Sequence, residues 1–170
     1  MKTLRNKLNI LFNNPLFEHF SALERLEFIK LCHRRTYKQG EVIYHQDDPA
    51  TGIYFIEDGR VSLTVKSSEE DLEPSGYELT KSDSFGMMTP EFASRREATA
   101  KCESDCVIYG FFQPDYETLK KRHPKIAATF LEAVTRSLAA LTVQLTLSLE
   151  EQIGSLESQK RLLSALRSQH

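Results

Sequence analysis

The sequence predicts an α+β chain: an antiparallel β-roll of the double-stranded β-helix or jelly-roll kind, with helices ahead of it and a long helix behind. Three observations carry this. Between Arg34 and about Gln113 the apolar residues recur with period two, in short segments separated by turn residues. No helical pattern interrupts these segments, so neighbouring strands must pair antiparallel without helical crossovers. Beyond Pro124 the period becomes helical and stays so almost to the end of the chain.

Taken in order, Leu4, Leu8, Leu11 and Phe12 recur at helical spacing until Asn13, Asn14 and Pro15 stop them. A second helix starts at Ser21, which forms a capping-box pattern with Glu24 and is followed by Leu23, Leu26, Ile29 and Leu31 or Cys32 as an inward stripe. The strand segments are RTYKQG, EVIYHQ, GIYFIEDG, RVSLTVK, YELTK, EATAKCE and CVIYGFF, with Val61, Leu63 and Val65 facing one way and Ser62, Thr64 and Lys66 the other. KSSEEDLEPSG reads as an exposed acidic hairpin tip. A short helix follows Pro114 and runs to about Arg122. After Pro124, Leu131, Val134, Leu138, Leu141, Leu145, Leu149, Ile153, Leu156 and Leu163 form a coiled-coil seam with one inserted four near Leu149. A single helix of about 46 residues would be ~69 Å long, too long to bury its stripe on a domain this small. It therefore calls for a homodimer through that seam, and Gly154 is its soft point. The boundaries expected are 1–33 for the N-terminal helical segment, 34–113 for the roll and 114–170 for the C-terminal helices.

Composition excludes several classes of function. With 40% hydrophobic and 27% charged residues and a formal net charge of −2, the chain has no general attraction for nucleic acid or an anionic membrane. Cys32, Cys102 and Cys106 are too few for a disulfide framework and read as small buried hydrophobes, although Cys102 and Cys106 flank a hairpin as a redox pair would. The basic N-terminal stretch has periodic apolar residues and no small-residue cleavage site, unlike a signal peptide. No continuous apolar run reaches bilayer length, so a soluble, cytoplasmic protein is expected. The five histidines are scattered, and His45 with Asp47 and Asp48 beside Pro49 reads as a turn, so neither a metal site nor an enzyme is expected.

In the first half, GEVIYHQDDPATGIYFIEDGRVSL carries Gly40, Glu41, Ile43 and Tyr44, then the apolar run from Ile53 to Ile56, then Gly59. The later stretch DSFGMMTPEFASRREATA holds Phe85 and Gly86, then Arg96, Glu97, Ala98 and Thr99. Together these resemble the cyclic nucleotide-binding domain family, and in particular the sensory half of catabolite-activator and FNR-type regulators. The second stretch resembles that family's phosphate-binding cassette, F-G-E-x-A-L-L followed by P-R-x-A-T, without a gap. The resemblance implies a site for a cyclic phosphate monoanion, with Arg96 supplying charge-assisted hydrogen bonds and the amides near Met88 and Thr89 supplying backbone donors. It also implies a base contact from Thr142, about eighteen positions after Pro124, with the partner helix of a dimer alongside.

The departures fall on ligand recognition. Met87 stands where the family's glutamate accepts from the ribose hydroxyl, and a thioether is a poor acceptor. Thr89, Pro90 and Glu91 replace the Ala-Leu-Leu run, and Glu97 follows the arginine. Losing one charged hydrogen bond costs roughly 1.5–3 kcal/mol, or about 10- to 150-fold in affinity. Sixteen residues follow Gly154, SLESQKRLLSALRSQH, and they hold no second helix to read DNA, so no duplex binding is expected. Two readings stay open: a dimeric regulatory protein sensing a cyclic nucleotide or another anionic small molecule weakly, with no further cofactor, or a ligand-independent dimeric scaffold that serves a protein partner.

Overall fold

The computed structural model describes residues 13–65, 76–86 and 94–167. The expected first helix (4–12), most of the acidic tip (66–75) and the middle of the cassette (87–93) lie outside the described residues. The chain divides into two units, Met1–Thr129 and Phe130–His170.

In the first unit a 3-10 turn, Pro15–Phe17, is capped by Asn14, whose side chain accepts from the Leu16 amide at 3.0 Å and donates to the Ser82 carbonyl at 3.0 Å. Helix α1 spans Ala22–Leu31 and opens with the expected capping box: Ser21 Oγ accepts from the Glu24 amide, and Glu24 Oε2 accepts from the Ser21 amide at 2.8 Å. Its inward face differs from the expected stripe. Arg25, Phe28 and Ile29 are buried, Leu26, Leu31 and Cys32 are half-buried, and Leu23 is exposed. The reason is size. Phe28 packs against the rings of Phe17, Phe55 and Phe111 at 4.9, 6.1 and 4.4 Å, and this aromatic cluster sets which way the helix faces. Arg25 fits the same face because its guanidinium donates to the Phe17 carbonyl at 3.1 and 2.6 Å.

Eight strands follow: β1 (His33–Tyr37), β2 (Val42–Tyr44), β3 (Gly52–Asp58), β4 (Val61–Thr64), β5 (Gly76–Leu79), β6 (Ser84–Phe85), β7 (Thr99–Cys102) and β8 (Cys106–Phe112). They form two four-stranded sheets, ordered β1-β8-β3-β6 and β2-β7-β4-β5, with every pairing antiparallel. This is the α+β roll that the alternating pattern predicts. Ile56, Val61, Leu63, Phe85, Ala100 and Ile108 fill the space inside, together with Cys102 and Cys106, which are free thiols. Val65, past the end of β4, is exposed rather than inward.

Helix α2 (Gln113–Arg122) follows β8 directly and its Asp115 caps it, accepting from the Phe112 amide at 2.9 Å. Helix α3 then runs from Pro124 to Ile153 and helix α4 from Ser155 to Arg167. The expected single helix to the end of the chain is thus replaced by two. Gly154 lies at φ +83°, donates its amide to the Glu150 carbonyl at 2.9 Å, and so turns the chain back. Ser158, fully buried, reaches the Thr146 carbonyl with its hydroxyl at 3.5 Å, and a cleft of about 370 Å³ opens between α3 and α4. Leu145 and Leu149 line that cleft opposite Leu162, whereas Leu156 and Leu163, expected to extend the seam, are exposed on α4.

The expectation about membrane length is also corrected. Residues 137–149 carry no charge, and by length and composition alone α3 is long and apolar enough to cross a bilayer. Counting only unbroken apolar runs missed this, because Ser137, Thr142 and Thr146 interrupt the pattern. Their hydroxyls donate to carbonyls four residues back, at 3.0, 2.8 and 2.8 Å, which lowers their polarity.

A Cβ at Gly154 would meet no atom within 4 Å, so only its backbone angle resists substitution. A side chain there costs roughly 1–2 kcal/mol in the left-handed region and gains about 1 kcal/mol in a continuous helix. Gly154→Ala is therefore expected to straighten the hairpin. Spin labels at Ala139 and Lys160 should move from a short separation to about 32 Å, measured by double electron–electron resonance.

Candidate functional site

The site begins with a loop zipped to a loop. The Ala50 amide donates to the Ser94 carbonyl at 2.9 Å, the Arg96 amide to Asp48 at 2.8 Å and the Asp47 amide to Arg96 at 2.9 Å. Extended backbone then forces alternation: Arg95 and Glu97 are exposed, and Arg96 between them is buried at 4% accessibility. Arg95 stays on the outside, donating to the Asp47 carbonyl at 2.7 Å. His45, Asp47 and Asp48 form the expected turn, with Asp48 accepting from the His45 amide at 2.8 Å. Among the described residues no cluster of His, Cys, Asp and Glu could hold a metal ion.

Inside, the Arg96 guanidinium donates from Nη2 to the Gly52 carbonyl at 2.9 Å. Its carbon lies 4.3 Å from the centre of the Tyr44 ring and 5.5 Å from that of Tyr54, both within cation–π range. Tyr54 in turn stacks on Phe85 at 5.2 Å with an interplanar angle of 16°. Gly86 follows at φ +77°, and Arg96 Nη1 sits where a side chain would go: a Cβ on Gly86 would stand 2.5 Å from it. Beside this cation opens a cavity of about 180 Å³, lined by Tyr44, Leu63, Tyr77, Gly86, Arg96 and Ala98 among others. It is smaller than the roughly 300–1,000 Å³ usual for small-molecule pockets.

Burial pushes the Tyr44 phenol up to about 12, against the opposing pull of Arg96, and burial also raises that of Tyr54. Both rings are therefore neutral at ordinary pH, and they offer π faces and hydroxyls to the cation rather than a second charge.

Of the residues singled out from sequence, Phe85, Gly86, Arg96, Glu97 and Ala98 come together at this cavity. Met87, Met88 and Thr89 lie outside the described residues. Thr142 belongs to the second unit, where it lines the cleft between α3 and α4 and donates to the Leu138 carbonyl. The sequence reading missed the clamp on the arginine. Tyr44 and Tyr54 stood there as scaffold, and Tyr77 as an ordinary strand residue. The available signal was parity: each ring falls on the inward register of its strand, at the level of the one inward arginine.

Two outcomes follow from this geometry. Gly86→Ala is expected to cost about 1–3 kcal/mol in urea unfolding, because it combines a strained φ with a collision at Arg96. An unchanged midpoint would show that the arginine moves aside freely. Because the folded chain keeps the Tyr44 proton longer than the unfolded chain, the stability it contributes is full below pH 10 and is lost as pH rises toward about 12. Tyr44→Phe should flatten that alkaline decline in stability measured from pH 9 to 12.

Residues 34–123 match the family model of the cyclic nucleotide-binding domain. Over 140 residues the chain is 29% identical to the cyclic AMP receptor protein of Thermus thermophilus, covering 81% of this chain and 64% of that protein. Over 136 residues it is 31% identical to glutaminase 1 of Bradyrhizobium diazoefficiens, covering 77% of this chain but 20% of that protein. Among solved structures, the N-terminal domain of a transcriptional regulator from Streptomyces coelicolor superposes with a TM-score of 0.69 at 22% identity, covering 78% of this chain and 94% of that one. The chain thus spans about a fifth of one of these curated relatives and just under two thirds of the other.

Proposed function

The chain belongs to the cyclic nucleotide-binding domain family, and from that premise we propose that it is a self-pairing regulatory module which senses a cyclic nucleotide weakly. The observation that carries this is the buried guanidinium of Arg96 at the wall of the cavity, in the register of the family's cassette arginine. A cation held in a low-dielectric wall beside an open space favours a monoanion in that space. Tyr44 and Tyr77 add flat apolar surface around it. Met87, in place of a carboxylate, leaves the sugar without its acceptor. The module acts by binding rather than catalysis, and its share of the glutaminase is a minor part of that enzyme's length.

Self-pairing takes place along α3. Leu141, Val143, Leu145 and Leu147 are all at least half exposed there, more apolar surface than one helix leaves in water without a partner. The parallel seam expected from sequence ends at Gly154, so Leu156 no longer belongs to it.

A specific observation favours the second reading, a scaffold without ligand. Arg96 is engaged already by the Gly52 carbonyl and two aromatic faces, and the cavity is small. Titration calorimetry decides between the two. We expect cyclic AMP to bind the natural chain weakly, Met87→Glu to tighten it by about 10- to 100-fold, and Arg96→Ala to abolish binding in either background, on the strength of one charged hydrogen bond. Submicromolar affinity in the natural chain, or indifference to the restored glutamate, would refute the division of roles. No heat in any of the four proteins would establish the scaffold.

A further inference from the structure

Helix α3 carries two apolar stripes, and the sequence reading used only one. Leu141 and Leu145 belong to the first, whose later members Leu145 and Leu149 line the cleft against α4. Val143 and Leu147 stand two positions further on from each, about 200° round the helix at ~100° per residue. They are 56% and 51% accessible. With them run Arg136, Ala140 and Glu150, at spacings of four, three, four and three residues, which keeps all five on one face. Among the described residues neither Arg136 nor Glu150 has an ion-pair partner.

The order of these side chains points to what covers them. Read from the N-terminal end the stripe is cation, small, medium, large, anion; read backwards it is anion, large, medium, small, cation. A second helix of the same sequence running the opposite way, about a two-fold axis at Val143, sets Arg136 against Glu150, Ala140 against Leu147 and Val143 against Val143. Every large residue meets a small one and every charge its opposite. A parallel copy does the reverse, with Arg136 on Arg136, Glu150 on Glu150, and Leu147 on Leu147 beside a gap at Ala140. An isologous contact of this kind closes on itself and needs no other protein.

We propose that a second copy of this chain docks antiparallel on the stripe formed by Arg136, Ala140, Val143, Leu147 and Glu150. This rests on the self-pairing reading above and adds its face and direction. Glu151, next to Glu150, extends the acidic end that receives Arg136. The charged ends fix the direction, and the apolar middle supplies the attraction.

Sedimentation velocity of the full chain at micromolar concentration tests this, with far-UV circular dichroism to check that each variant keeps its helices. The natural chain is expected to sediment as a dimer. Arg136→Glu places acid against acid and should dissociate it. Arg136→Glu combined with Glu150→Arg and Glu151→Arg should restore the dimer, because each new charge again meets its opposite. Leu141→Glu, on the other stripe, should leave it paired. A natural chain that sediments as a 19.5 kDa monomer overturns self-pairing and this proposal with it. A dimer that resists Arg136→Glu, or that the charge exchange fails to restore, keeps self-pairing and overturns the antiparallel face.

Discussion

A cation taken out of water has to be compensated locally or it unfolds its surroundings, and Arg96 is such a cation. Much of what positions the site compensates it. The zipped loops at Asp47, Asp48 and Ala50 set its backbone in the one register that points it inward. The Gly52 carbonyl at the start of β3 accepts one of its N–H groups, and Tyr44 from the opposite sheet supplies a ring face. Gly86 withholds a side chain so that Nη1 can lie against the backbone. Tyr54, braced by Phe85, closes the other side. The arginine thus ties the two sheets together across the roll, which is why a residue placed for ligand chemistry is also part of the packing.

The second unit answers a different constraint. A helix with thirteen uncharged residues in a row has to satisfy its hydroxyls and hide its leucines, and it does the first within itself. Thr142 and Thr146 return their hydroxyls to the preceding turn, and the Thr146 carbonyl accepts in turn from buried Ser158 on α4. Gly154 makes that last contact reachable by reversing the chain in one residue. The hairpin covers part of one side of α3 and leaves Val143 and Leu147 outside it. Hydrogen bonding therefore settles the shape of the unit, while the remaining apolar surface sets its need for a partner.

Periodicity made the roll legible, because a two-residue repeat has only one way to bury its apolar half. Ser21 with Glu24 was equally plain, since the capping box is a contact between near neighbours in sequence. The inward face of α1 was not, because Leu23 and Phe28 are both apolar, and only the aromatic cluster gathered from Phe17, Phe55 and Phe111 decides which turns inward. Gly154 shows the same limit. Its identity marks a weak point in a helix, but a kink, a fray and a full reversal cost the sequence the same single glycine. The choice among them is made by Ser158 and Thr146, twelve residues apart. At the site, Arg96 was legible from its motif. Its neighbours Tyr44, Tyr54 and Gly52 were not, for they come from other strands and hold the guanidinium rather than matching any pattern.

What a ligand must overcome follows from those neighbours. The Gly52 carbonyl and the two rings are neutral partners, and hydrogen bonds to an ionised acceptor are about twice as strong as those between neutral groups. A phosphate monoanion in the cavity therefore competes well for the guanidinium, provided the rest of the molecule repays its own loss of water. In a site with a carboxylate for the sugar that repayment comes from a second charged bond, reached from the other side of the ligand. Met87 cannot give it, and Glu97 beside the arginine weakens the field that draws the anion in. The arginine is left with nearly balanced alternatives, held by its own protein in one and by an anion in the other. A buried cation in that balance responds to modest changes in the cavity around it, and Tyr44 from one sheet with Gly86 beside the other are where such a change would reach the roll.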